Sequence, residues 1–146
     1  MKAQAMEIDG IQFSKDDILF FEEGLPGFEN LQQFLITSQP GQEPFHWMHS
    51  LEEDGIKFIL VNPMMIHSDY DPKIPPSFVK ELNIKSKEDL CMYVIVTLNA
   101  VEFSLSTANL LGPIMVNLAT RRGKQIILDD GRYSTKYPIL SQQGGN

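Results

Sequence analysis

Cysteine is nearly absent: Cys91 is the single one among 146 residues, so no internal disulfide can form. It stands between Leu90 and Met92 at the start of an apolar run, with nothing adjacent to lower its pKa. It therefore reads as a small buried hydrophobe, not a reactive thiol. Long apolar runs are absent too, and none approaches the roughly 18 residues of a membrane span. The first ten residues carry Glu7 and Asp9 and lack the basic, apolar, small-residue order of a signal peptide. A soluble, cytoplasmic chain with no membrane partner is expected. Positive charge is scarce, with 12 Lys and Arg against 19 Asp and Glu and a net charge of -7. Such a surface repels phosphate backbones and favours a basic partner.

Catalytic signatures are missing as well. There is no G-x-S-x-G elbow, P-loop, H-E-x-x-H helix or dinucleotide glycine pattern, and Gly24, Gly27 and Gly41 do not make a phosphate cradle. His46 and His49, three apart, read as part of a strand, where they point to opposite faces. With His67 and Asp69 they fit polar caps on an apolar layer better than a metal site. The acidic pairs Glu22-Glu23, Glu52-Glu53-Asp54 and Asp129-Asp130 each lie beside a glycine-containing turn, as solvated loops do. No catalytic residue, cofactor or metal is expected, although an enzyme with an unrecognised site stays open as an alternative. Another alternative is a barrel that binds single-stranded nucleic acid, with Phe45, Trp47, Phe58 and Tyr93 to stack bases. It lacks a cationic groove, since only Arg121, Arg122 and Lys124 cluster.

What is present is a hydrophobic fraction of 42%, which suits one domain burying roughly 68–70% of its unfolded surface. That domain is expected over residues 1–140, and 141–146, which have no apolar anchor, should form a flexible tail. Apolar residues recur at period two: Met92, Val94, Val96 and Leu98 in one run, Val101, Phe103 and Leu105 in the next, joined around Asn99 and Ala100. Further strands are expected at 6–8, 18–21, 33–36, 45–49, 56–61, 114–118, 125–128 and 133–137, with Asp130-Gly131 turning a hairpin between the last two. Pro75-Pro76-Ser77 opens a short helix with Phe78, Val79 and Leu82 on one face, and Ser86 with Asp89 caps another turn. The fold class is mainly β: a small closed or nearly closed antiparallel β-barrel with one or two short helical segments, a sandwich being the other arrangement.

Two loops stand out. In 21–29, Gly24, Pro26 and Gly27 impose a turn between Phe21 and Phe28; in 107–117, Gly112-Pro113 interrupts an apolar run. Leu110, Leu111 and Ile114 should pack inward there, while Asn109 and Asn117 bond backbone at strand ends. These segments occur together with P-F-x-W-M at 44–48, N-P at Asn62-Pro63, D-Y at Asp69-Tyr70 and Q-I-I-L-D-D-G-R-Y at 125–133. In that order, over 6–140, the chain closely resembles the bacterial flagellar assembly factor FliW family.

The resemblance implies a non-enzymatic β-barrel, monomeric when free. It would bind the terminal helical region of flagellin and the RNA-binding translational regulator CsrA, relieving CsrA's repression of flagellin translation as the two partners exchange. Binding beside the RNA site would disfavour RNA by charge, which suits an acidic chain; capture of flagellin helices requires an apolar groove. The candidate contact residues are Glu22, Glu23, Leu25 and Phe28 in the first turn and Asp69, Tyr70 and Asp71 in the loop after Asn62. Gly24, Pro26, Gly27, Asn62, Pro63, Asn109, Pro113 and Asn117 would shape the loops.

Overall fold

In the computed structural model, residues 6–140 are described, so the tail expected at 141–146 lies outside the described residues. The strands in chain order are β1 (Met6–Ile8), β2 (Ile11–Phe13), β3 (Leu19–Phe20), β4 (Gln33–Thr37), β5 (Phe45–Ser50), β6 (Lys57–Val61), β7 (Leu90–Thr97), β8 (Thr107–Ala108), β9 (Ile114–Asn117), β10 (Arg122–Gln125) and β11 (Tyr137–Pro138). Helix α1 (Pro76–Glu81) is the single α-helix among the described residues, accompanied by short 3-10 turns. Ladder pairing runs β7-β6-β5-β4-β3-β10-β9 and returns through a β7–β9 pairing, which closes a barrel of seven strands. All its pairings are antiparallel except β3 with β10, where Phe20 lies beside Arg122 in parallel. β8 and β11 extend the sheet beyond the far end of β7.

Alternation along the strands sorts side chains into two layers. Ile36 pairs with Met48, Met48 with Phe58, Leu60 with Ile95 and Tyr93 with Ile114, and these side chains fill the barrel with Leu19, Phe21 and Phe34. The opposite faces of β6, β7 and β9 carry Val61, Val94, Val96 and Met115 outward. A second layer covers them, formed by Tyr70, Phe78 and Leu82 together with Ile126, Leu128, Tyr133 and Ile139. β7 is thus walled on both faces, as its sequence implies, and Cys91 is half-buried in the interior layer. α1 starts with Pro76 at its first position, where no amide is needed, and ends before Asn83 in the left-handed conformation (φ 57°). Ser86 caps the next turn by accepting from the Glu88 amide, not through a reciprocal bond with Asp89.

Several sequence expectations are corrected. Residues 101–105 form no strand. Asn99 Oδ1 accepts from the Val101 and Glu102 amides, and the chain turns into a 3-10 helix at Phe103–Leu105. The third ladder of the C-terminal half is Arg122–Gln125, earlier than 125–128, and 133–137 holds only the start of β11. Asp130-Gly131 turns no hairpin, because Asp130 accepts from the Arg132 amide and guanidinium and the chain curls there. The Asp-Gly hairpin is at Asp9-Gly10, φ 50° and 79°, joining β1 to β2.

Candidate functional site

The first turn grows out of the barrel interior. Phe21 is fully buried, and Gly24, with φ 65°, donates its amide to the Phe21 carbonyl (2.9 Å). A Cβ on Gly24 would lie 2.6 Å from the Phe28 carbonyl oxygen, so this approach excludes a side chain. Leu25 and Phe28 then bond amide to carbonyl in both directions, at 3.4 and 2.7 Å, around Pro26 and Gly27 (φ 86°). Proline followed by a positive-φ glycine is what a type II turn requires. Leu25 is only 2% exposed and packs in the interior layer. As a contact residue it is therefore corrected: its side chain anchors the turn. Phe28 is 37% exposed, its edge resting on Phe58 with ring centres 5.3 Å apart.

A second acidic turn shares this end of the barrel. Glu52 accepts from the Gln32 and Gln33 amides at 2.6 and 3.2 Å, and the Gln32 side chain donates to the Glu22 carbonyl at 2.8 Å. Turns 22–29 and 51–55 are thereby joined, and Glu22, Glu23, Glu29, Glu53 and Asp54 are exposed on them. Among the described residues Glu22, Glu29, Glu53 and Asp54 enter no ion pair. Glu29 accepts from the Gly27 amide (3.0 Å), which holds its carboxyl below the usual range. Of the nearby cations, Arg122 lines a cleft with Glu22 and Glu23 and lies over the Phe20 ring without an ion pair among the described residues, while two lysines are paired. Lys124 lies 2.6 Å from Glu81 and 3.4 Å from Glu23, and these partners raise its pKa; Lys57 lies 3.4 Å from Asp9. The 51–55 acids read in sequence as an ordinary solvated loop; the bonds from Gln32 and Gln33 to Glu52 are long-range and leave no local signal.

The loop after β6 stands elsewhere. Asn62 caps a 3-10 turn through the Met64 amide (2.9 Å), with Pro63 buried. Tyr70 is 4% exposed, donates to the Leu110 carbonyl at 2.7 Å and meets Tyr133 edge-on; burial pushes its hydroxyl pKa up. It too is corrected from contact residue to anchor. Asp69 and Asp71 are exposed. The Asp71 amide donates to Tyr133 Oη (2.8 Å) and its carbonyl accepts from Arg132 (3.0 Å). Arg132 also grips Asp130 and pushes that carboxyl down to about 2. Tyr70 belongs to the outer layer and Leu25 to the interior, so the two candidate segments form no single site.

The remaining sequence candidates are structural or engaged. Asn109 accepts from the Leu111 amide (3.0 Å), and the Pro113 carbonyl accepts from Ile126 (2.9 Å). Asn117, 1% exposed, donates to the Leu82 and Asn83 carbonyls and accepts from the Ala119 and Thr120 amides, pinning the end of α1 to the β9–β10 turn. His46 shares the face of Met48 and meets the exposed Ser38 just past β4, while His49 on the opposite face meets Thr37 and Asp9, and no group of three His, Cys, Asp or Glu among the described residues is placed to hold a metal. Arg121 donates to the Asp17 carbonyl and Arg122 lies over Phe20. Phe58 and Tyr93 point inward and Phe45 and Trp47 outward, so these four aromatics share no stacking face. No described helix is long and apolar enough to cross a membrane.

Comparison with known proteins covers nearly the whole chain. The sequence profile of the FliW protein family matches residues 2–139. The flagellar assembly factor FliW of Caldicellulosiruptor saccharolyticus is 37% identical over 136 residues, 93% of this chain and 88% of the relative. The flagellar assembly factor FliW of Clostridium tetani is 37% identical over 143 residues, covering 98% of each chain. A crystal structure of the flagellar assembly factor FliW superposes with a TM-score of 0.83 at 31% identity, over 95% of this chain and 97% of that one.

Proposed function

The chain belongs to the FliW family, and from that premise we propose that it is a non-enzymatic flagellar assembly factor of the cytoplasm. In this reading it binds flagellin through the terminal helical region and, in exchange, binds CsrA, so that CsrA no longer represses flagellin translation. The observation that carries the reading is the acidic end of the barrel. There, two joined turns carry exposed carboxylates, and one of them also carries the partly exposed ring of Phe28, with no ion pair to Glu22, Glu29, Glu53 or Asp54 among the described residues.

Unpaired carboxylates on rigid turns attract a basic surface over about a Debye length of roughly 8 Å at physiological salt and repel RNA over the same distance. An aromatic on the same turn as such carboxylates supplies the desolvated contact that charge alone does not. Glu22 and Phe28 are accordingly the proposed CsrA contacts, together with Glu23, which shares their turn and also reaches Lys124, whereas Asp69 and Asp71 lie on a separate loop and form a different acidic surface. Of the cations that a nucleic-acid reading would need, Lys124 is ion-paired with Glu81, Arg121 donates to the Asp17 backbone carbonyl and Arg122 lies over the Phe20 ring.

Titration of the purified chain with CsrA and with monomeric flagellin tests the reading. Saturable binding of each, with flagellin displacing CsrA, is the expected result. Binding of single-stranded RNA with neither protein partner bound would overturn it.

A further inference from the structure

The outer face of the barrel is not covered everywhere. Beyond Val96 the covering layer ends, and Trp47 and Ile59, register partners on β5 and β6, lie with Phe45 in a groove of about 260 Å³ walled by Leu98 and Phe103. The wall is a built structure. Asn99 Oδ1 accepts from the Val101 and Glu102 amides, Ser106 Oγ accepts from the Asn99 amide, and Phe103 meets Phe45 edge-on at 6.3 Å. Yet this braced loop turns its apolar side chains to solvent: Val101 is 96% exposed and Leu105 59%. Exposed apolar side chains on a loop held by its own hydrogen bonds, next to an apolar groove that Leu98 and Phe103 of the same loop wall, are the mark of a surface that another polypeptide covers.

The neighbouring pairings decide what shape of ligand fits. β5 and β6 are hydrogen-bonded on both sides, to β4 and β7, so the groove offers side chains and no free strand edge. An extended peptide lying there would leave its own amides unpaired, whereas a helix satisfies its backbone internally and buries only its apolar stripe. Charge narrows the choice further. Glu43 lines the groove and Glu102 sits in its wall, while the nearby Lys57 already lies over the Trp47 ring and beside Asp9. A second copy would set acid against acid. Residues 141–146, Ser-Gln-Gln-Gly-Gly-Asn, have no apolar group to offer.

We infer that the Phe45–Trp47–Phe103 groove takes the apolar face of an amphipathic helix whose stripe is flanked by Lys or Arg. Resting on the function proposed above, this occupant is the terminal helical region of flagellin. The groove and the acidic end around Phe28 are then separate sites for the two partners.

The test is biolayer interferometry of the full chain against monomeric flagellin and against CsrA, for wild type, Val101→Asp, Phe103→Ser and an exposed apolar control elsewhere, Ile127→Asp. Val101 is so exposed that its replacement cannot disturb the core. Phe103→Ser in the groove wall and Val101→Asp on the loop that forms it should each raise the flagellin Kd by about tenfold or more, the range of an interface anchor, with CsrA affinity and the control within about twofold. Wild-type binding of flagellin that neither groove variant weakens would overturn the groove alone. A wild type that binds no flagellin would overturn both this inference and the function it rests on. A dimer of the free chain dissolved by Val101→Asp would show that a second copy is the occupant, contradicting the inference.

Discussion

Phe28 stands edge-on to Phe58, ring centres 5.3 Å apart and planes at 81°, so the outer part of turn 24–29 is joined to β6 of the barrel through two aromatic rings. Phe58 lies on the interior face of β6 and Ile59, next to it, on the groove face. One short strand therefore carries contacts to both proposed partner surfaces. Phe28→Ala should weaken CsrA binding and cost about 1 kcal/mol of stability, the usual worth of such a pair. Urea denaturation and a CsrA titration check the two parts. Unchanged CsrA affinity would remove Phe28 from the contact.

Charge reversal at Glu22 and Glu23 should weaken the CsrA complex more than the flagellin complex, with the difference shrinking at high salt. The fold should survive it, since Lys124 keeps Glu81 at 2.6 Å when Glu23 is replaced. Titrations at two ionic strengths decide the matter; equal losses for both partners would contradict the assignment.

Leu25→Asp and Gly24→Ala should act on stability. Leu25 is buried, and an uncompensated carboxylate in its place should cost about 3 kcal/mol or more. Alanine at Gly24 meets both the positive φ and the Phe28 carbonyl 2.6 Å away, for a loss of about 2 kcal/mol. Chemical denaturation measures each. A Leu25→Asp protein with normal stability and reduced partner binding would return Leu25 to the interface.

The pH dependence of stability should carry a signature of His49. Its ring is 2% exposed between Thr37 and Asp9, and burial lowers its pKa from 6.5, opposed by the Asp9 carboxylate and assisted by Lys57. The fold therefore favours the neutral ring. This contribution is complete above about pH 6.5 and is lost as pH falls through the lowered folded-state pKa, because the unfolded chain takes up the proton first. Melting curves between pH 7.5 and 5.5 should show a decline that His49→Gln flattens; identical slopes in both proteins would contradict it.

Legibility in the sequence followed how local each cause is. The alternation of 90–97 is a property of the strand itself, and both buried faces of β7 were readable from it. The turn at Gly24, Pro26 and Gly27 and the helix start at Pro76 were readable for the same reason. Val101, Phe103 and Leu105 alternate just as well, but the Asn99 side chain takes two amides that a ladder would need, and the run becomes an exposed loop. Asp9-Gly10 and Asp130-Gly131 are equal turn signals in sequence. Arg132, by clamping Asp130, makes the second a curl and leaves the hairpin to the first. The inward direction of Leu25 and Tyr70 depends on partners that are long-range, such as Leu110 for Tyr70, and no local pattern records it.

One competition measurement tests the partner exchange most directly: the chain is held with CsrA at saturation while monomeric flagellin is added, both complexes being followed. Release of CsrA in step with flagellin binding, with released CsrA recovering its RNA affinity, is the result expected. Failure of the chain to bind either protein, or flagellin binding that leaves CsrA and its RNA affinity untouched, would contradict the account.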